Sequence, residues 1–375
     1  MEWLGRYNRV KIDLSALVYN LKQVRELVGP ETRIMGVVKA DAYGHGRITV
    51  SRALESNSVD RLGVAFLWEA LDLREKGIRC PIVILSGIEN GEEAAAVVEN
   101  DLTPVVYDLE RAETLAREAE IRGKRISVQV KVDTGMGRLG ISLGEAAAFL
   151  EKIRAYPSLI PEGLTSHFPS ADEPSRKFTE DQIALFRKVI QRGRSLGLEL
   201  PVNSLANSAG VMAHPDSYFQ MVRPGIMLYG GMPDPNFRGP VTLRPVMALS
   251  GRILQVRRLP EGTSVSYGRT YQTKGERKIA VLSAGYSDGL PRRLSNRGQV
   301  LIRGRRAPIV GRVCMNLLMV DVTGLEPVRP GEEAVFLGRQ GEDCITGDQL
   351  AAWADTISYE IFCAIGQSHP KEYVK

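Results

Sequence analysis

The first 230 residues alternate between short apolar runs and amphipathic stretches of helical spacing, and this alternation constrains the fold more than any other feature. Strands joined by helices lie parallel, because each helix returns the chain to the edge where the next strand begins. The pattern predicts helices at 14–28, 67–76, 110–122 and 182–196, and strands near 33–40, 61–66, 81–87, 103–107, 126–134, 159–168, 200–206 and 221–230. Eight such strands favour a (β/α)8 TIM barrel, with a doubly wound open sheet as the alternative.

Beyond Pro240 the pattern changes to short runs rich in β-branched residues, separated by glycine and proline turns. We therefore predict a barrel domain over 1–239 and a mainly β domain over 240–375. Within the second domain only 349–354 has helical spacing. The apolar alternation in Arg9–Ile12 makes residues 1–12 a candidate strand of the second domain, although they precede the barrel.

The charge balance and the lengths of the apolar runs limit the classes of partner that the chain could bind. The net charge is +5, but 49 basic residues are interleaved with 44 acidic ones, and no basic run typical of nucleic-acid binding is present. No apolar run approaches the roughly 20 residues that cross a bilayer, and residues 1–6 do not resemble a signal peptide. We expect a cytoplasmic protein that binds neither nucleic acid nor membrane. Without CxxC pairs or metal-ligand spacing among the histidines, we expect reduced, buried thiols and no metal.

Polar residues fall where the predicted strands end. In a barrel these ends meet at one mouth, where active sites form. Charged groups at such positions are costly unless they are paired or functional. The residues concerned are Lys39, Lys131, Asp133, Arg138, His167, Asn207, Ser208 and Arg223.

The segment 135–140 matches G-x-G-x-x-G, a dinucleotide-binding pattern. In a nucleotide-binding fold the pattern follows the first strand, whereas here four strand–helix units precede it. We interpret its glycines as allowing a sharp turn that holds Arg138 over the barrel mouth.

A desolvated lysine among other cations has a lowered pKa and becomes a nucleophile that forms Schiff bases with carbonyls, including the aldehyde of pyridoxal phosphate. Lys39 fits this description. The phosphate would need donors from the loops after strands 7 and 8, where Ser208, Gly225 and Ile226 lie. Arg223 is placed to face the pyridine nitrogen.

Eight segments in register resemble bacterial alanine racemases from about residue 7 to 370. They are VVKADAYGHG (37–46), VKVDTGMGRLG (130–140), ANSAG (206–210), MVRPGIMLYG (221–230), VSYGRTY (265–271), LSAGYSDGLPRRLSN (282–296), GRVCMN (311–316) and ISYE (357–360). The resemblance implies a homodimeric pyridoxal 5'-phosphate enzyme that interconverts L- and D-alanine by a two-base mechanism and supplies D-alanine for peptidoglycan.

The resemblance also implies roles for individual residues. Lys39 would hold the cofactor and act as one base, and Tyr267 would be the other base, delivered by the second subunit. The cofactor would be bound by Lys39, Tyr43, Leu85, Arg138, His167, Asn207, Ser208, Arg223, Gly225, Ile226 and Tyr359. Arg138 and Met315 would bind the substrate carboxylate, Lys131 would be carbamylated, and Tyr286 would narrow the entrance.

Two positions depart from the family pattern. Ser204 stands where a histidine commonly supports the pyridine-facing arginine, which leaves the support of Arg223 to Asn203 or water. Asn316 stands where an aspartate is common, which removes a charge near the substrate.

Purely structural readings remain open at this point. Tyr267 would also suit a turn with no catalytic role. His167 would also suit a core position with its hydrogen bonds satisfied, and Asn207-Ser208 would also suit the cap of a loop. Arg223 and Lys131 would also suit ion pairs with Asp133 or Asp41. At the level of the whole chain the alternatives are a broader amino-acid racemase, a decarboxylase of the same fold, and a non-catalytic pyridoxal-phosphate carrier.

Overall fold

The computed structural model describes residues 7–237, 239–325 and 327–375. The first part of the chain contains β1 (Arg9–Asp13), α1 (Leu14–Val28), β2 (Arg33–Val37), α2 (Lys39–Tyr43), α3 (Arg47–Ser56), β3 (Arg61–Val64), α4 (Leu67–Glu75), β4 (Ile82–Ile84), α5 (Gly91–Glu99), β5 (Thr103–Val106), α6 (Leu109–Ile121), β6 (Ile126–Lys131), α7 (Ala146–Arg154), β7 (Leu159–Thr165), α8 (Lys177–Ser195), α9 (Ser208–Ala213) and β8 (Met221–Val222). The remainder contains β9 (Met247–Leu259), β10 (Ser264–Val265), β11 (Tyr271–Gln272), β12 (Arg277–Leu282), β13 (Gln299–Ile302), β14 (Arg305–Pro308), β15 (Leu318–Asp321), β16 (Glu333–Gln340), β17 (Asp343–Ile345), α10 (Gly347–Ala354), α11 (Ser358–Ser368) and β18 (Lys371–Val374).

The first domain is the barrel that the alternating pattern predicts. Strands β2 to β7 pair in parallel in chain order, and β8 pairs in parallel with β2. Between β7 and β8 the seventh position is reduced to Ser204, which bridges Thr165 on one side and Met221 on the other. The circle is therefore closed. Its interior is packed by Met35, Val83, Val105, Val202 and Met221.

All eight predicted strands are shorter in the structure, and two of them differ most from the prediction. The run near 200–206 contributes a single bridging residue, Ser204, since Pro201 lacks an N–H and Asn203 uses its side-chain oxygen to accept from the Leu164 N–H (3.0 Å). The run near 221–230 ends after Val222, because Pro224 and Gly225 follow and the chain continues as a 3₁₀ turn over Ile226–Tyr229.

The second domain is built around the long strand β9, which pairs antiparallel with β1, β12 and β16. Strand β1 also pairs in parallel with β18, so the first and last described strands lie side by side. The prediction that only 349–354 is helical is wrong, because α11 follows at Ser358–Ser368 and buries Ile361, Phe362 and Ile365 on one face. The boundary at residues 239/240 stays a prediction.

Helix α11 and strand β18 clamp the turn that follows β2, which we call the lysine turn (residues 39–46). A Cβ on Gly366 of α11 would lie 2.0 Å from the carbonyl oxygen of Gly44, so two backbones meet here. From β18, Lys371 binds the Asp41 carboxylate at 2.8 Å, and the Tyr373 hydroxyl lies against Gly46. The second domain thus fixes the end of the first barrel strand.

Two further expectations concern cysteines and membranes. The four cysteines are free, as predicted, but each is only partly buried. Among the described residues no helix is long and apolar enough to cross a membrane.

Gly366→Ala tests this clamp. The added methyl would overlap the Gly44 backbone, so we expect the free energy of unfolding to fall by about 3 kcal/mol. Urea denaturation of both proteins measures the difference. Gly144→Ala is the matched control, because a Cβ at Gly144 meets nothing within 4 Å. Equal stability of the two variants would contradict the close backbone contact.

Candidate active site

Lys39 stands at the end of β2 on a turn of left-handed conformation. The four residues after it, Ala40 to Tyr43, have φ values between 52° and 54°. This region is unfavourable for residues with a Cβ and is tolerated where the surroundings impose it. The turn therefore needs stabilising contacts, and three carboxylate or imidazole side chains provide them.

The first support is Glu69 of α4, which is 1% exposed. Its carboxylate accepts from the Ala40 N–H at 2.8 Å and the Ala65 N–H at 2.7 Å, and lies 3.3 Å from the Arg47 guanidinium. Sequence reasoning missed this residue. The sequence does contain one signal for this role. Glu69 is the third residue of α4, and an acidic residue at that position commonly accepts from backbone N–H groups at the start of its own helix.

The other two supports are Asp41 and His45. Besides its ion pair with Lys371, Asp41 accepts from the Arg47 N–H at 2.7 Å. The Nδ1 atom of buried His45 lies 3.0 Å and 2.9 Å from the carbonyl oxygens of Ala42 and Tyr43, so Nδ1–H donates to them. Burial lowers the pKa of His45 to about 4, and the ring stays neutral.

The barrel mouth collects cations. Burial and the repulsion of Arg138 lower the pKa of Lys39 from its ordinary value. The pKa of Lys131 lies well below its usual range because of burial and the neighbouring charges of Arg223 and Arg138. Burial, together with Arg138, brings the pKa of Arg223 down to about 10.

The carboxylates near these cations are engaged elsewhere. Asp133 accepts from backbone amides of its own loop, Asp41 binds Lys371, and Glu69 binds Arg47. No ion pair of Lys131 or Arg223 with Asp133 or Asp41 occurs among the described residues, so that structural reading is wrong. The mouth therefore carries positive charge that these carboxylates do not pair with directly.

Arg223 is held by neutral acceptors. Its guanidinium donates to the Ser204 hydroxyl at 2.5 Å and to the backbone carbonyl of Ser166, and it lies 3.3 Å from His167 Nδ1. Ser204 itself thus supports the arginine. Asn203 does not, since its amide donates to Leu200 and Gln220. Burial and Arg223 hold the pKa of His167 well below its usual range.

The loops after the seventh and eighth strands are joined by Ser208, whose hydroxyl oxygen accepts from the Gly225 N–H at 2.9 Å. The Tyr43 hydroxyl lies against Gly225, where a Cβ would be 2.4 Å from the phenol oxygen. Its ring is 5.7 Å from that of Tyr359. Burial raises the pKa values of both tyrosines far above their ordinary value, so the phenols keep their protons. These groups line one side of the mouth.

The remaining cofactor candidates have structural contacts. Asn207 caps α9, because its side-chain oxygen accepts from the Gly210 N–H at 3.0 Å, as the loop-cap reading expects. Ile226 is buried at the start of its 3₁₀ turn. Leu85 follows β4 and packs on the apolar barrel interior.

The remaining predicted site residues lie on the second domain: Tyr267, Tyr286, Met315 and Asn316. Tyr267 is 68% exposed in a turn in which Ser266 and Arg269 have positive φ. Tyr286 and Met315 are also exposed, and Ser287 links Met315 to Asn316, accepting from the Asn316 amide at 2.7 Å and donating to the Met315 carbonyl at 2.8 Å. No hydrogen bond or ion pair among the described residues joins Tyr267 to the mouth of the same chain.

Comparisons with known proteins agree with this architecture. Residues 12–233 match the family described as alanine racemase, N-terminal domain, and residues 246–373 match its C-terminal domain. Alanine racemase of Syntrophobacter fumaroxidans is 43% identical over 364 residues, which is 97% of this chain and 96% of that protein.

Solved structures are similar over almost the whole chain. Alanine racemase from the D-cycloserine producer Streptomyces lavendulae has a TM-score of 0.93 at 33% identity, covering 99% of this chain and 98% of that one. The enzyme from Bartonella henselae, with covalently bound pyridoxal phosphate, has a TM-score of 0.87 at 29% identity, covering 99% and 100%.

Arg138→Ala should raise the pKa of Lys39 in the protein without added ligand, because a repelling charge is removed while burial remains. Cyanate reacts with the unprotonated amine, so its reaction with Lys39 should begin at higher pH in the variant. Mass spectrometry of the Lys39 peptide across a pH series measures this. Arg138→Lys, which keeps the charge, is the control, and an unchanged profile in the alanine variant would contradict the electrostatic coupling.

Proposed function

The chain belongs to the alanine racemase family of isomerases, and from this premise we propose that it interconverts L- and D-alanine using pyridoxal 5'-phosphate bound at Lys39. The observation that carries the proposal is the barrel mouth itself. An amine of lowered pKa stands among cations whose neighbouring carboxylates bind other groups. Such a mouth suits a ligand with a carbonyl for the amine and anionic groups for the cations.

The residues present fit this cofactor. Ser208, Gly225, Ile226, Tyr43 and Tyr359 would hold the phosphate, since the protonated phenols and the loop amides are donors next to the loops after strands 7 and 8. Asn207 and Leu85 would line the same pocket.

Around the ring, Arg223 would face the pyridine nitrogen, and neutral His167 would flank the ring. When bound, the cofactor withdraws electron density from Cα of the amino acid and so acidifies its proton.

Racemisation requires a proton to leave one face of Cα and another to arrive on the opposite face, so two bases are needed. Lys39 would serve one face. Tyr267 would serve the other from the second subunit of a homodimer, because it is exposed and no hydrogen bond or ion pair among the described residues joins it to the mouth of its own chain. Exposed aromatic side chains occur on the two surfaces that would meet in such a dimer. Phe66 and Trp68 lie beside the mouth, and Tyr267 and Tyr286 lie on the second domain. A two-fold dimer would cover both at once.

The substrate carboxylate would bind Arg138 and the backbone of Met315. Lys131, which has a lowered pKa and no ion pair among the described residues, would be open to carbamylation. The resulting anion would orient Arg138. Tyr286 would narrow the entrance, and the neutral Asn316 would lie near the substrate. We place this activity in the cytoplasm, where it would supply D-alanine for peptidoglycan.

A mixing experiment tests both the bases and the dimer. Lys39→Ala and Tyr267→Phe should each be inactive in the racemisation of L-alanine. Each mixed dimer contains one site with both native residues, and random mixing makes half of the dimers mixed. The reassociated mixture should therefore recover about a quarter of the wild-type activity, measured as D-alanine formed.

The controls separate the possible failures. Each variant unfolded and refolded alone should stay inactive, and size-exclusion chromatography should show dimers throughout. An inactive mixture of proven mixed dimers would refute delivery of Tyr267 by the partner. Substantial activity of Tyr267→Phe alone would refute its role as a base. Serine, lysine and arginine assayed alongside alanine distinguish a broader racemase.

A further inference from the structure

The loop between β6 and α7 contains the G-x-G-x-x-G pattern, and its geometry shows what the pattern binds. The Asp133 carboxylate accepts from three successive backbone amides: Oδ1 from Gly135 and Met136, both at 2.8 Å, and Oδ2 from Gly137 at 2.9 Å. Successive amides that converge in this way form a nest for an anion. In nucleotide-binding loops the anion is a phosphate, whereas here it is the loop's own aspartate.

The glycines make this arrangement possible. Gly135, Gly137 and Gly140 have φ values of 135°, 67° and 131°, in the region that favours glycine. At Gly140 a Cβ would lie 2.6 Å from the Asp133 nitrogen, so the loop returns close to its own start. Two backbone hydrogen bonds of 2.9 Å close the loop where it begins and ends. The Asp133 N–H donates to the Ile141 carbonyl, and the Ile141 N–H donates to the Lys131 carbonyl.

Arg138 directly follows the last amide that Asp133 binds. Its side chain is exposed and has no hydrogen bond or ion pair among the described residues, so the backbone of the loop determines where it stands. The loop nevertheless returns to the barrel mouth, because a Cβ at Gly140 would lie 3.2 Å from Cγ of Lys131. The charge of Arg138 accordingly lowers the pKa values of Lys39, Lys131, His167 and Arg223.

We propose that Asp133 is a positioning residue for Arg138: its carboxylate fills the amide nest of residues 135–137 and so fixes the loop that carries the arginine at the barrel mouth. Without the carboxylate, three N–H groups lose their acceptor and the glycine-rich segment gains conformational freedom. Arg138 would then spend less time near the substrate carboxylate. The inference rests on the proposed function only where it concerns the substrate, because the effect on Lys39 needs no substrate.

Asp133→Ala is the test, with Asp13→Ala as the matched control. Asp13 likewise accepts from a backbone N–H, that of Ala16 at 2.9 Å, but it caps α1. In Asp133→Ala we expect the KM for alanine to rise about tenfold or more with a smaller change in kcat, since ground-state binding of the carboxylate is weakened. In Asp13→Ala both constants should stay at the wild-type values.

Two further readouts separate positioning from simple stability. Formate carries a carboxylate of the right size for the vacated nest, so it should lower the KM of Asp133→Ala while only competing with alanine in the wild type. Cyanate labelling without cofactor should show Lys39 reacting at higher pH in Asp133→Ala than in the wild type. That shift is expected because Arg138 no longer repels the ammonium.

Two results would overturn the positioning role of Asp133. An unchanged KM and an unchanged labelling profile would overturn the proposal, as would a KM increase that formate does not reverse and Asp13→Ala shares. If the wild type fails to racemise alanine, the proposed function fails, but the labelling profile still tests whether Asp133 positions Arg138.

Discussion

Burying an amine among other cations is the constraint on which the rest of this molecule depends. Lys39 stands at the end of a buried strand, and Arg138 and Arg223 lie near enough to repel its ammonium form. Nearby carboxylates that would relieve the repulsion bind other groups: Asp41 binds Lys371, Glu69 binds Arg47, and Asp133 binds its own loop. Such a cluster is unfavourable in the empty protein and becomes favourable with an anionic ligand.

The architecture supports this arrangement from two directions. The barrel brings Lys39, Lys131, His167 and Arg223 to one mouth because its strands are parallel and closed. The second domain contributes α11 and β18, which hold the left-handed lysine turn through Gly366, Lys371 and Tyr373. The last described strand, which pairs with β1, therefore also contacts the turn that carries Lys39.

The sequence predicts the barrel and the mouth well, because strand–helix alternation and charged residues at strand ends are local patterns. It does not predict that Ser204 alone forms the seventh position, or that Ser204 binds Arg223, because both depend on partners that are distant along the chain. The sequence also does not predict the left-handed conformation of Ala40–Tyr43, because none of these residues is glycine and tertiary contacts impose the conformation. Helix α11 was missed because Gly366 and its β-branched residues obscure the helical spacing.

The amine that reacts with pyridoxal 5'-phosphate can be identified chemically. The purified protein is incubated with pyridoxal 5'-phosphate, reduced with borohydride, digested with trypsin and analysed by mass spectrometry. A modified Lys39 resists trypsin, so we expect one peptide, Ile34–Arg47, to carry the phosphopyridoxyl group. Attachment to another lysine, or to none, would contradict the account.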